Sequence, residues 1–263
     1  LMSVQDGKVA LVTGAASGIG HALCRELHAR GATVYAADLN EVGLARLQQE
    51  CGERLVTTRL NVVDEAAVQA WIESAAAQRG RVDYLFNNAG IVVGGAFEAM
   101  DRTAWQKIID INLWGVIHGT QHGYALMRRQ GHGHIVNTAS TAGVMPVARS
   151  TAYATTKHAV VGLSTSLREE GRAHGIRVSV VIPGIVDTNI FSSATNVGGH
   201  DYDAAIRKVP IGKISPQQAA RAILAGVARN RQYIVFPAYN RVIVGLNRLF
   251  PVFMGRLVNR RAG

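Results

Sequence analysis

Residues 8–20 read KVALVTGAASGIG, and the fold turns on this stretch. Val9, Ala10, Leu11 and Val12 form a short apolar run, the pattern of a strand buried on both faces. The run ends in Thr13-Gly14, and a helix opens near Gly18-Ile19-Gly20 with Leu23 and Leu27 on one stripe. A strand, a glycine-rich turn and a helix in that order make a phosphate-binding element. Glycines let the backbone approach a pyrophosphate, and the helix N-terminus supplies free N–H groups and a positive dipole end. The spacing is TGxxxGxG rather than GxGxxG. An ordinary strand–turn–helix would look the same, so the surrounding chain has to settle the reading.

Outward from that turn, residues 32–38 (ATVYAAD) read as a second strand ending in Asp38, 18 residues past Gly20. An acid at this tip accepts hydrogen bonds from ribose hydroxyls and repels a 2′-phosphate. Neither Ser17 nor Leu39 supplies a cation to offset it, so the expected cofactor is NAD rather than NADP. The competing role for Asp38 is to cap the next helix. Further strands are expected at 55–60, 82–86, 134–139, 176–182 and 232–236. Helices are expected after Asp64, over 103–129, over 151–174 and from Ser215-Pro216, where serine caps and proline fits the first turn. This alternation predicts an α/β protein with right-handed crossovers, its doubly wound parallel sheet covered by helices on both faces. No linker or repeat divides it, so one domain is expected: 1–237 as its nucleotide-binding and catalytic body, 238–263 as a basic amphipathic extension.

The composition fits one large domain: 263 residues, 48% hydrophobic, with 28 glycines. Two cysteines, Cys24 and Cys51, give no disulfide framework, and the opening LMSVQDGK has neither the basic nor the apolar region of a leader, so a reduced, cytoplasmic setting is expected. The net charge of +10 is uneven. No acid follows Asp203, whereas eleven Lys and Arg do; the first 203 residues carry the other 17 basic groups against 18 acidic ones. The basic residues are not interleaved on any nucleic-acid recognition module, so no nucleic-acid partner is expected.

Tyr153 and Lys157 stand four apart on the helix expected at 151–174, hence one turn apart on one face. A tyrosine titrates near ~10, too high for a base at neutral pH, and a nearby ammonium favours the phenolate. Ser140 follows a strand at the end where parallel sheets place their sites. A lone YxxxK is common on amphipathic helices, but here it has company. TGxxxGxG, Asp38, Asn87-Asn88-Ala89-Gly90, Ser140, YxxxK and Pro183-Gly184 occur in the order and spacing of the short-chain dehydrogenases/reductases, and residues 8–236 resemble that family.

The resemblance implies a seven-stranded Rossmann fold that binds a nicotinamide cofactor and interconverts alcohols and ketones. It implies Tyr153 as acid/base, Lys157 as its tuner and a ligand of the nicotinamide ribose, Ser140 as the group holding the reacting oxygen, and Asn112 as the anchor of a relay water. Gly14, Ser17, Gly18, Ile19 and Gly20 would meet the pyrophosphate, and Asn88, Ala89 and Gly90 would line the adenosine-side ribose. Thr188 would meet the carboxamide, with Pro183, Ile185 and Val186 beside it. Where the family usually has Asp-Val after the third strand, this chain has Asn61-Val62, whose asparagine oxygen can still accept from the adenine amine.

His118 and His122 lie on one helix face with no cysteine or carboxylate to complete a metal set, so no metal is expected; in the family that helix usually meets another subunit, which implies a homo-oligomer. Residues 189–213, long and glycine-containing, read as a lid over the substrate. Val92, Val93, Val144, Met145, Ile185, Ile190 and Phe191 are the expected pocket lining, which points to an apolar secondary alcohol or its ketone. In the tail, Val242, Leu246, Leu249, Phe253 and Leu257 recur at helical steps around a break at Pro251. That stripe is expected to pack on protein, completing the pocket or a subunit contact, with an anionic membrane surface as the other destination. Two further readings use the same residues: an NADPH-dependent ketoreductase, for instance of acyl thioesters, which Asp38 opposes, and a non-catalytic NAD-binding protein docked on membranes.

Overall fold

The computed structural model describes residues 5–208 and 212–259; residues 209–211 of the expected lid and 260–263 at the end of the basic tail lie outside the described residues. Seven strands form one parallel sheet: β1 (Val9–Thr13), β2 (Thr33–Asp38), β3 (Leu55–Arg59), β4 (Tyr84–Asn87), β6 (Gly133–Thr138), β7 (Ile176–Pro183) and β9 (Tyr233–Phe236), in the order β3-β2-β1-β4-β6-β7-β9. The chain runs outward from β1 to β3, then returns to lay β4 on the other side of β1. That reversal leaves a crevice beyond the carboxyl ends of β1 and β4, where open sheets of this kind bind ligands.

The short apolar runs form this sheet because both faces are covered. Along β1, Ala10 and Val12 face one core with Leu23 and Leu27 of α1 (Gly18–Ala29), Leu47 of α2 (Glu41–Cys51) and Ile223 of α8 (Pro216–Ala228). Val9 and Leu11 face the other core, with Trp71 and Ile72 of α3 (Glu65–Arg79) and Met127 of α5 (Gly115–Gln130). Capping fixes the helix starts. Asp64 accepts from the Ala67 N–H at the head of α3, and Ser215 and Gln218 close a reciprocal capping box on α8.

The helix expected over 103–129 is interrupted. It consists of α4 (Arg102–Ile109), a π-helical turn (Asp110–Trp114) and α5. The extra residue accommodated by that turn sits where buried Asn112 binds a neighbouring loop, which periodicity does not register. The expected lid is pinned: β8 (Thr195–Asn196) pairs with β5 (Val93–Gly94), and Tyr202, at the start of α7 (Tyr202–Arg207), stacks on Phe191 and shares a hydrogen bond with Ser150.

The tail folds as expected into two helices broken at Pro251, α9 (Ala238–Leu249) and α10 (Pro251–Asn259). The side turned inward is not the one expected. Asn240, Asn247 and Met254 are buried, while Val242, Leu246, Leu249, Phe253 and Leu257 stand exposed. Polar anchoring decides this. The Asn247 amide donates to the Val144 carbonyl at 2.7 Å, and Asn259 accepts from the Ala148 N–H at 2.7 Å and donates to the Pro146 carbonyl. These loop groups lack a strand or helix partner and need a hydrogen bond more than a methyl contact.

Candidate active site

The turn after β1 is held by its threonine. Thr13 Oγ1 accepts from the N–H groups of Asn88 (3.0 Å) and Ala89 (3.1 Å), which ties the β1 and β4 turns together. Asn88 donates back to the Thr13 carbonyl at 3.2 Å. Gly14 has φ +68°, and a Cβ there would fall 2.9 Å from the Ala89 Cα. At Gly20 a Cβ would fall 2.0 Å from the Gly14 carbonyl oxygen, so only glycine lets α1 pack under the turn. Ser17 precedes α1 without capping it, and no acid occupies the first turn, which leaves its N–H groups available to an anion.

A cavity of about 480 Å³ runs from this turn to the far side of β6. Gly14, Ser17, Gly18, Ile19, Asp38, Asn61, Val62, Asn88, Ala89, Gly90, Pro183, Ile185, Val186 and Thr188 line it, together with Ser140, Tyr153 and Lys157. Two of the residues singled out in the sequence stand behind its wall: Gly20, beneath the turn, and Asn112, fully buried. Asp38 Oδ2 accepts from the Ala16 N–H at 3.0 Å and Oδ1 from the Asn40 N–H at 2.9 Å, so the acid braces the glycine turn while facing the cavity. The helix-capping role falls to Asn40. Among the described lining residues the one cation is Lys157, at the opposite end.

At that opposite end, α6 (Thr151–Arg172) carries Tyr153 and Lys157 on one face. The Tyr153 phenol and the Ser140 hydroxyl line the same cavity, and Ser140 Oγ accepts from the Ala142 N–H at 3.2 Å. Lys157 Nζ lies 5.6 Å from the Tyr153 ring centroid and donates to the Thr138 carbonyl at 3.0 Å. The expected lowering of the phenol pKa by this lysine is not what the site shows. Burial raises Tyr153 above the ordinary phenol value, the Tyr202 phenol adds to the rise, and the Ser140 hydroxyl works against it. The lysine is itself buried, which pushes it down to about 8.

Asn112 acts at one remove. Its side chain accepts from the Ile91 N–H at 2.8 Å and donates to the Ile91 carbonyl at 2.9 Å, clamping the loop after β4 to the π turn. A Cβ on Gly90 would lie 3.2 Å from Asn112 Oδ1 and 3.4 Å from Lys157 Nζ, so that glycine keeps the space between them open.

Met145, Ile185, Ile190 and Phe191 line the cavity as expected, whereas Val92 and Val93 are core residues behind it and Val144 packs with another cluster. Four residues had no sequence signal of their own: Thr138 anchors Lys157, Tyr202 lines the cavity from α7, and Tyr239 and Val258 form part of the wall from α9 and α10, beside Ile243 of the tail. Thr13 was visible only as part of TGxxxGxG.

The family model for short chain dehydrogenases matches residues 8–197. The chain is a short-chain dehydrogenase. Cis-4-hydroxycyclohexanecarboxylate dehydrogenase of Sinomonas cyclohexanicum is 38% identical to this dehydrogenase over 82% of this chain and 87% of its own. The SadH protein of Mycobacterium tuberculosis is 34% identical over 98% of this chain and 96% of its own, so that similarity extends through the tail. The crystal structure of a short-chain dehydrogenase/reductase from Burkholderia phymatum in complex with NAD superposes with a TM-score of 0.85 at 32% identity, covering 94% of this chain and 95% of that one. Seven parallel strands, helices on both faces and one domain are thus the family's fold, as the sequence implied.

Proposed function

We propose that this short-chain dehydrogenase transfers a hydride between NAD(H) and an apolar secondary alcohol or its ketone, with Tyr153 as acid/base. One observation carries the reading: Ser140, Tyr153 and Lys157 share one cavity with the uncapped α1 N-terminus and Asp38. The residues fit a dinucleotide. The turn presents N–H groups to a pyrophosphate, Asp38 keeps lone pairs for the ribose hydroxyls, and no lining cation stands near it to receive a 2′-phosphate.

When bound, NAD supplies the hydride acceptor. The chain's own residues handle the oxygen. Ser140 orients it, and Tyr153 takes the hydroxyl proton in oxidation or gives one in reduction. Lys157 stands beside the phenol and would hold the cofactor ribose. Asn112 is a positioning residue, holding the loop that carries Gly90. The raised phenol pKa keeps Tyr153 protonated at neutral pH, the state that donates to a ketone. Oxidation needs the phenolate, so its rate rises with pH while the reduction rate falls.

The lining between Tyr153 and the lid is Met145, Val147, Ile190, Phe191 and Ile206, which suits an apolar substrate body. The Sinomonas relative's name specifies a carboxylate substrate. Here Lys157 is the one lining cation among the described residues and it serves the phenol, which favours an uncharged substrate. Exposed Trp114, stacked on His118 beside Glu65 and His122, supports a homo-oligomer through that face, to be read from the native mass.

A screen of secondary alcohols with NAD, followed by NADH absorbance, tests the reaction. With a turned-over alcohol in hand, Tyr153→Phe is expected to lower kcat by roughly a hundredfold or more while NADH binding persists. Wild-type turnover by the Phe variant would remove Tyr153 from the acid/base role.

A further inference from the structure

We propose that the outer face of α9 and α10 docks on the surface of an anionic lipid bilayer. Thirteen large hydrophobic side chains are exposed among the described residues, and eight of them lie between Val242 and Val258. Four are nearly two-thirds exposed or more: Val242 at 63%, Leu249 at 71%, Val252 at 67% and Phe253 at 65%. Such a concentration is more than scattered surface apolarity. The inner side of these helices is already committed. At about 100° per residue, Val242 and Leu249 point roughly opposite Asn240 and Asn247, which hydrogen-bond the body of the protein. The apolar ridge therefore has no partner within the described residues of its own chain.

Charge selects the occupant. Arg241, Arg248 and Arg256 are exposed on the same two helices, and neither helix contains an acid. A two-fold contact between copies of this face would set arginines against arginines with nothing to pair them. Lipid phosphates would neutralise them while the apolar side chains enter the acyl boundary. No described helix is long and apolar enough to cross a membrane, so the helices would lie on the surface. Because Tyr239, Ile243 and Val258 line the cavity from these helices, docking would bring the cavity wall next to lipid. That consequence rests on the apolar-substrate reading; the docking does not.

Flotation of the full chain with vesicles tests the proposal without any activity readout. Partitioning is expected to be roughly a hundredfold stronger on phosphatidylglycerol-containing vesicles than on phosphatidylcholine alone, from about fivefold per arginine. High salt should erase that preference. A Leu249→Glu/Phe253→Glu variant is expected to stay in the unbound fraction with its melting temperature and native mass unchanged, since both side chains are exposed. An Arg241→Gln/Arg248→Gln/Arg256→Gln variant should lose the preference for anionic lipid. Failure of the folded intact protein to float, or equal flotation on both vesicle types, overturns the proposal. So does a fall in native mass in the Glu variant, which would show that a second copy covers the face.

Discussion

Replacing Lys157 by methionine tests the buried ammonium as a matter of stability rather than rate. Lys157 is 3% exposed, and burial moves its pKa from 10.5 to about 8. A lysine depressed on folding is a cost to the folded state at low pH, because the unfolded chain holds the proton more tightly. The cost is fully present below about 8 and is relieved as pH rises towards 10.5. At about 1.36 kcal/mol per unit, the linkage integral amounts to about 3 kcal/mol at pH 7 and below 1 kcal/mol at pH 10. Methionine keeps most of the side-chain volume and cannot be charged. It also leaves the Thr138 carbonyl without its 3.0 Å donor, a pH-independent loss of about 1–3 kcal/mol. The absolute stability difference between the two proteins therefore mixes two terms, but its pH dependence isolates the ammonium. Wild type should gain about 2–2.5 kcal/mol relative to the variant between pH 7 and pH 10, or roughly 4–10 °C in melting temperature for a chain of this size. Denaturant titrations of both proteins across that range supply the comparison. A difference that stays flat with pH would refute the claim that the lysine carries a proton it is forced to give up by burial.

Gly20→Ala places a methyl 2.0 Å from the Gly14 carbonyl oxygen, so NADH affinity should fall tenfold or more, measured by nicotinamide fluorescence; wild-type affinity would mean the turn is softer than its packing implies. Asp38→Ala removes the repulsion of a 2′-phosphate, and the ratio of kcat/KM for NAD over NADP should fall at least tenfold, about 1.4 kcal/mol; an unchanged ratio would locate cofactor choice elsewhere. Asn247→Ala leaves the Val144 carbonyl unpaired beneath α9 and should cost about 1–2 kcal/mol in a denaturant titration. A neutral result would show that the tail is held by its apolar contacts instead.

Local chemistry made the nucleotide end of this protein legible. A run of four apolar residues, two positions that only glycine satisfies and an acid at the next strand's tip each constrain a neighbour within about twenty residues, so TGxxxGxG and Asp38 could be read directly from the chain. Tyr153 and Lys157 were equally visible, because helical spacing alone puts them on one face. Packing decided what spacing could not. Whether Tyr153 is lowered by its lysine or raised by burial depends on how much water the finished cavity admits, and Tyr202, which adds to the rise, arrives from a lid some fifty residues downstream. The break in the helix at Asn112 answers to the backbone of Ile91 on another element, a contact no periodicity can encode. The tail shows the same division. Its two amphipathic helices and the break at Pro251 follow from the order of residues, but the face turned inward was chosen by groups at Val144, Pro146 and Ala148 that Asn247 and Asn259 satisfy. An apolar stripe states that a helix has two unlike sides; only the hydrogen-bonding demands of the surface it meets determine which side that surface receives.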